Sequence, residues 1–238
     1  MRTLRNPQGT NEGREGRPNN PFNVYISWKS REAKWIASQK GKEKTEVKKP
    51  IDFLVLDILF TVKGGSMTEG NEVFSRPHYR ETNQQIKAWN KDANGNTTLI
   101  AEGPVVDIYS RIKKEYGASK ACQVYGFIPA TGQNAVIDLT GYAISPFLDL
   151  DQDLAENPVI TLNLEGVAIK MDEARKKAWG QLHEPIFTTS PNFTPKLAEQ
   201  AEELINDLEI LAYLDYLEGK AQETNPKQKE GKNMEDPY

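Results

Sequence analysis

The chain has 238 residues, 37% of them hydrophobic, a mean hydropathy of −0.66 and a formal net charge of −4 at pH 7. Its single cysteine, Cys122, excludes an intramolecular disulfide and a cysteine-based zinc site. No apolar run approaches the roughly 20 residues that span a bilayer, and residues 1–21 lack the apolar centre of a secretory signal, so we expect a cytoplasmic protein with no membrane partner.

The charge is distributed unevenly along the chain. Residues 1–49 hold twelve Lys or Arg and five Asp or Glu, a net charge of +7, so the remaining residues carry −11. This asymmetry is typical of a basic binding region followed by an acidic tail, and a solvated charged surface is the alternative. Residues 1–20 have almost no apolar side chains, so we expect a disordered basic arm there.

Alternating apolar residues predict the first strands. In 22–29 one face is wholly apolar and is expected to be core; it carries Phe22, Val24, Ile26 and Trp28. A second extended segment is predicted at 31–38, followed by a charged turn or loop. The segment 51–65 is apolar on both faces, which indicates a central strand.

The middle of the chain alternates strands with one short helix. Pro77 limits 72–80 to an edge strand or a bulge, and Asn94-Gly95 predicts a hairpin over 85–103. An apolar stripe predicts an amphipathic helix over 104–117, which Gly117 ends. Further strands are predicted at 120–129, 134–144 and 158–169.

The clearest helical pattern comes last, over 194–220. Thr194 can cap this helix, Pro195 suits its first position and Gly219 can end it. Seven Asp or Glu and one Lys over 195–219 make its outer face acidic. The apolar stripe predicts that it packs either on the rest of the chain or on a second copy, which would make a homo-oligomer.

This order of elements predicts a mainly β fold, an OB-type five-stranded barrel with one internal helix. An open antiparallel sandwich is the alternative, because strand order is not readable from these patterns. We expect a disordered arm at 1–20, the OB domain at 21–190, an acidic amphipathic helix at 191–219, and a flexible linker with an acidic tip at 220–238.

Aromatic residues flanked by cations recur on single faces of three predicted strands. Period-2 geometry groups each set on one side of its strand, and a buried face would not hold such unpaired charges. Bases stack on aromatic rings while Lys and Arg follow the phosphates, so this pattern predicts sequence-independent binding of single-stranded DNA. The predicted contacts are Arg31, Lys34, Trp35, Phe74, Arg76, His78, Arg80, Lys87, Trp89 and Lys91.

Enzyme chemistry has little support in this sequence. The two histidines, His78 and His183, are not in metal-ligand spacing, and no phosphate-binding loop or nucleophile elbow is present. The carboxylates of 149–157 lack the glycine and glutamate of a calcium loop and have no adjacent base for a Mg²⁺-dependent nuclease. We therefore expect a protein with no catalytic residue, no metal and no cofactor.

The final residues, Glu235, Asp236, Pro237 and Tyr238, resemble the acidic tip of single-stranded DNA-binding proteins from bacteria and phages. The central order "PIDFLVLDILFTVKG", "NEVFS", a hairpin into "LIAEG" and the helix "VVDIYSRIKK" is similar to phage versions, over roughly residues 22–165. The resemblance implies an OB fold whose tip docks replication, recombination and repair proteins, with Tyr238 in an apolar pocket. The chain departs from that family in its few tip carboxylates, its terminal Tyr in place of Phe, and its helix at 195–219.

These observations predict a non-enzymatic, phage-encoded protein that coats single-stranded DNA during replication or recombination in the cytoplasm of a bacterial host. The alternative is a structural or adaptor protein of a virion, whose acidic helix self-associates.

Overall fold

The computed structural model describes residues 19–64, 71–75, 85–150 and 153–217, and the side chains of 214–217 are outside this description. Within these ranges the chain is mainly β, which confirms the predicted class. Its strands are β1 (Val24–Lys29), β2 (Lys34–Gln39), β3 (Thr45–Glu46), β4 (Ile51–Gly64), β5 (Glu72–Ser75), β6 (Gln85–Lys91), β7 (Thr97–Pro104), β8 (Ser119–Ile128), β9 (Gln133–Thr140), β10 (Val159–Ala168) and β11 (His183–Thr189). Its helices are α1 (Val105–Tyr116), α2 (Ile144–Leu148), α3 (Glu173–Trp179), α4 (Pro195–Asn206) and α5 (Leu208–Leu217).

The eleven described strands form one mixed sheet with the order β3-β2-β1-β9-β8-β4-β5-β6-β7. The first part of β4 also pairs with β10, which in turn pairs with β11, while the last residues of β4 pair with β5. Strands β1 and β9 run parallel, and the other described pairs are antiparallel. The described strands do not close into a barrel, so the expected five-stranded OB barrel is not confirmed.

The length of β4 follows from its position between two apolar layers. Phe53 and Phe60 enter the main core on what we call the inner face of the sheet, together with side chains of β1, β2, β8, β9, β10 and β11. Leu54 and Leu59 point to the opposite, outer face, where they lie beneath α4 and α5. Both faces of this strand are therefore buried, as its continuous apolar pattern predicts.

Two local predictions are confirmed. The β6–β7 hairpin turns at Gly95, which has φ +88°, and the side chain of Asp92 accepts hydrogen bonds from the N–H groups of Asn94 and Asn96. Helix α1 buries Val105, Ile108 and Ile112 against the inner side of β5–β7 and ends at Gly117, which has φ +62°. Both elements depend on turn chemistry that is local in sequence.

The predicted C-terminal helix is two helices. The backbone is extended at Asp207 (ψ 126°), between α4 and α5, and its carboxylate accepts hydrogen bonds from the N–H groups of Glu209 (2.8 Å) and Ile210 (3.0 Å). Thr194 caps α4 as predicted. Both helices pack on the outer face of this chain's own sheet through Leu197, Leu204, Ile210 and Tyr213.

Candidate nucleic-acid interface

Two of the predicted DNA-contacting aromatic residues meet on the outer face of the sheet. Phe74 on β5 lies directly opposite Trp89 on β6, and their rings stack with centroids 5.9 Å apart and planes 22° apart. Lys63 lies opposite Phe74 on one side, and Leu99 lies opposite Trp89 on the other. We call these four adjacent residues, Lys63, Phe74, Trp89 and Leu99, the aromatic row.

Strand alternation turns the aromatic row outward. The intervening residues Val73, Ile86 and Ala88 are buried beneath α1, so their neighbours on β5 and β6 face the other way. Helices α4 and α5 pack on other residues of the outer face, such as Leu59. Leu99 is 47% exposed, and the two aromatic rings are half-buried.

Lysine side chains lie within and beside the aromatic row. Lys87 and Lys91 lie on the same face of β6 as Trp89, as predicted. The ammonium of Lys63 contacts both carboxylate oxygens of Asp138 at 2.7 Å, and Lys87 pairs with Glu102 at 3.0 Å. Within the described ranges Lys91 has no ion pair, so part of the positive charge is balanced and part is not.

The prediction that Trp35 lies on an exposed, DNA-binding face of its strand is wrong. Its side chain is 0% exposed, packs edge-on against Trp28 with centroids 5.1 Å apart, and donates its indole N–H to the Asn163 carbonyl at 2.8 Å. The reason is hairpin geometry: a four-residue turn at 30–33 places Trp28 directly opposite Trp35, so both side chains share the inner face.

Two of the predicted DNA-contacting cations lie in or next to this turn. Arg31 is exposed in the turn itself. Lys34 is half-buried and pairs with Glu32 (2.6 Å) and Glu46 (3.6 Å), and the hydrogen bond with Glu32 raises the pKa of Lys34. Because β1 and β4 run in the same direction, this turn lies at the end of the sheet where β4 carries Lys63.

Several predicted contacts lie outside the described residues. Arg76, His78 and Arg80 fall between β5 and β6, and the tip residues Glu235, Asp236, Pro237 and Tyr238 follow α5. Their roles stay predictions, as does the disordered arm at 1–20, of which only residues 19 and 20 are described.

Burial explains the large tyrosine pKa shifts. Burial raises the pKa of Tyr109 and Tyr125 above the usual value, as expected for a phenol that loses water.

Among the described residues no group of three or more His, Cys, Asp or Glu is placed to hold a metal ion. In the same part of the chain no helix is long and apolar enough to cross a membrane.

Lys63 and Leu99 belong to the aromatic row but were not predicted as contacts. The sequence shows Lys63 as a cation at the end of the apolar central strand. Only the register of β4 with β5 shows that it lies beside Phe74.

No protein family, curated protein or solved structure matches this chain significantly.

Proposed function

We propose that this chain binds single-stranded DNA without sequence preference, and that the aromatic row is its principal contact. The observation that carries the proposal is the stacked pair of Phe74 and Trp89 among lysines on the outer face. Aromatic residues at the surface of a basic strand require an explanation, and unpaired bases are the ligand that uses both features.

The aromatic row can stack on bases but does not distinguish one base from another. Each base stacked on an aromatic side chain contributes roughly 1–3 kcal/mol, and every base has a π-face. Because Phe74 and Trp89 already stack on one another, a base would stack on the side of the pair that faces Leu99 or Lys63. Phosphates would then lie near Lys63, Lys87 and Lys91.

The neighbouring carboxylates adjust the strength of this contact. Partly exposed ion pairs such as Lys63–Asp138 are worth about 0–1 kcal/mol, so a phosphate can replace the carboxylate at small cost. Each phosphate neutralised in this way releases counterions and makes binding depend on salt.

An OB-type arrangement of the core strands belongs to this proposal. Side chains of β2, β1, β9, β8 and β4 surround the main core on one side, which supports a partly open barrel of the kind that binds oligonucleotides. The resemblance of the last residues supports a role in phage DNA replication or recombination, with Glu235, Asp236, Pro237 and Tyr238 recruiting partner proteins.

One observation favours a second candidate, a structural or adaptor protein. At the corner between α4 and α5, Leu208 is 80% exposed and Ile205 is 39% exposed, beside the acidic residues of both helices. Exposed apolar side chains of this kind suit a protein contact, and they do not require DNA.

A binding titration separates the two candidates. We expect the fluorescence anisotropy of labelled oligo-dT to rise when the full-length protein is added. The protein should bind double-stranded DNA more weakly than oligo-dT, and its affinity for oligo-dT should fall steeply as salt is added. A variant that lacks residues 233–238 serves as the control and should bind oligo-dT as well as the full chain does. Absence of oligo-dT binding at low salt would reject the proposed function and leave the adaptor.

A further inference from the structure

A second basic and aromatic surface lies at the end of the β10–β11 hairpin. Helix α3 connects these strands, and Trp179 at its end is 47% exposed, while Val167 near the end of β10 is 51% exposed. The hairpin reaches the β1–β2 turn, which carries Arg31. We call residues 29–34 together with 167–183 the hairpin patch.

Close packing fixes the hairpin against β1. The N–H of His183 donates to the Ser30 carbonyl at 2.8 Å, and the indole N–H of Trp28 donates to the His183 carbonyl at 2.8 Å. At Gly166 a Cβ atom would lie 2.6 Å from the Trp28 ring, so only glycine fits there. The hairpin and the turn therefore form one surface.

The hairpin patch is positively charged. Its two segments contain seven Lys or Arg and three Asp or Glu, a net charge of +4. Arg175 pairs with Asp172 and Lys176 pairs with Glu173. Lys170 and Lys177 are exposed and have no ion pair within the described ranges. An exposed tryptophan beside unbalanced lysines repeats the chemistry of the aromatic row.

We propose that the hairpin patch is a second contact for the same single-stranded DNA, an inference that rests on the proposed function. From β4 to β1 the sheet spans three strand spacings, roughly 14 Å at about 4.8 Å each. Because the β1–β2 turn lies at the end of the sheet that carries Lys63, DNA that leaves the aromatic row along this end of the sheet, past the ends of β8 and β9, reaches Arg31. The turn joins this end to the hairpin, which packs on Trp28 at the inner face. Beyond Arg31, Trp179 stacks a base, and Lys170 and Lys177 contact phosphates.

Oligonucleotide length distinguishes the two contacts. The experiment titrates the full chain with oligo-dT of about 6 nucleotides, which covers one contact, and of about 30, which covers both. The test variants are Trp179→Ala and the double variant Lys170→Ala/Lys177→Ala. Their controls are Leu208→Ala, an exposed apolar site on α5, and Lys113→Ala/Lys114→Ala, two exposed lysines on α1. Thermal melting of each variant checks that it is folded.

We expect both test variants to weaken binding of the long oligonucleotide about fivefold or more and to leave the short one within about twofold. For the lysine variant and the long oligonucleotide, the slope of the logarithm of the binding constant against log salt should become less negative by about 1.4. Long-oligonucleotide binding unchanged in both test variants, with Trp89→Ala still weakened, would overturn this inference and leave the proposed function. Wild-type protein that binds neither oligonucleotide would overturn both.

Discussion

Three tryptophans illustrate how much a single residue's environment depends on its pairing partner. Trp28 and Trp35 face each other across the β1–β2 hairpin and are buried, whereas Trp89 pairs with Phe74 at the surface. The sequence predicts Trp28 in the core and Trp89 outside. It fails for Trp35, because the face of a strand is fixed only when the length of the preceding turn is known, and a shift of one residue reverses it.

Replacement of Trp35 should affect stability rather than DNA binding. Trp35→Phe removes the indole donor and leaves the buried Asn163 carbonyl without that hydrogen bond, which costs about 1–3 kcal/mol of unfolding free energy. Urea denaturation measures this loss, and Trp179→Phe, at an exposed site, should change stability by less than about 0.5 kcal/mol. A Trp35→Phe variant of normal stability that loses tenfold in DNA affinity would show that the ring contacts DNA.

Removal of a carboxylate beside the aromatic row should strengthen DNA binding. In Asp138→Asn the ammonium of Lys63 loses its internal partner and becomes available to a phosphate. We expect affinity for oligo-dT to rise about threefold at low salt, with a salt dependence steeper by about 0.7. Glu115→Gln, which removes the partner of Arg111 on α1, is the matched control; equal effects of the two variants would argue against a local contact.

At the scale of secondary-structure elements, local signals predicted structure and distant ones did not. The β6–β7 turn and α1 were predictable because Asn94-Gly95 and Gly117 determine backbone geometry within a few residues. The break at Asp207 was missed, since Asp within an apolar helical pattern reads as one more acidic surface residue. Strand β11 was missed as well, because its contacts are with Trp28 and Trp35, which are far away in sequence.

The junction of β4, β10 and the segment after β11 should be sensitive to acid. Burial alone would raise the pKa of Asp52, but hydrogen bonds from Thr161 and Asn192 outweigh it and hold the pKa below its usual value. The ionised form therefore stabilises the fold above the unfolded-state pKa of about 3.9, and this contribution is lost as pH falls through the lower folded-state pKa.

The variant Asp52→Asn tests this linkage. We expect it to be less stable than wild type between about pH 5 and 7, with the difference in unfolding free energy shrinking as pH falls below about 4. Urea denaturation at a series of pH values measures the difference. A difference that stays constant from neutral pH to about pH 3 would show that the carboxylate charge is not involved.

At the scale of the whole molecule, the outer face of the sheet is divided between two uses. Helices α4 and α5 cover one part of it, with Glu199, Glu202, Glu203 and Glu209 exposed. The aromatic row occupies another part, on strands β4 to β7. This division depends on the parallel pairing of β1 with β9 and on the double partnership of β4. Neither pairing is encoded locally, so the sequence predicted Phe74 and Trp89 as surface residues but did not predict Lys63, Leu99 or the sheet that carries all four.

Tryptophan fluorescence tests the central claim most directly, because Trp28 and Trp35 are buried and a DNA of about six nucleotides should reach the aromatic row first. We expect oligo-dT of that length to quench the emission of the wild-type protein and of Trp179→Phe, and to leave the emission of Trp89→Phe nearly unchanged. Quenching of Trp89→Phe as strong as that of the wild type would contradict base stacking on the Phe74–Trp89 pair.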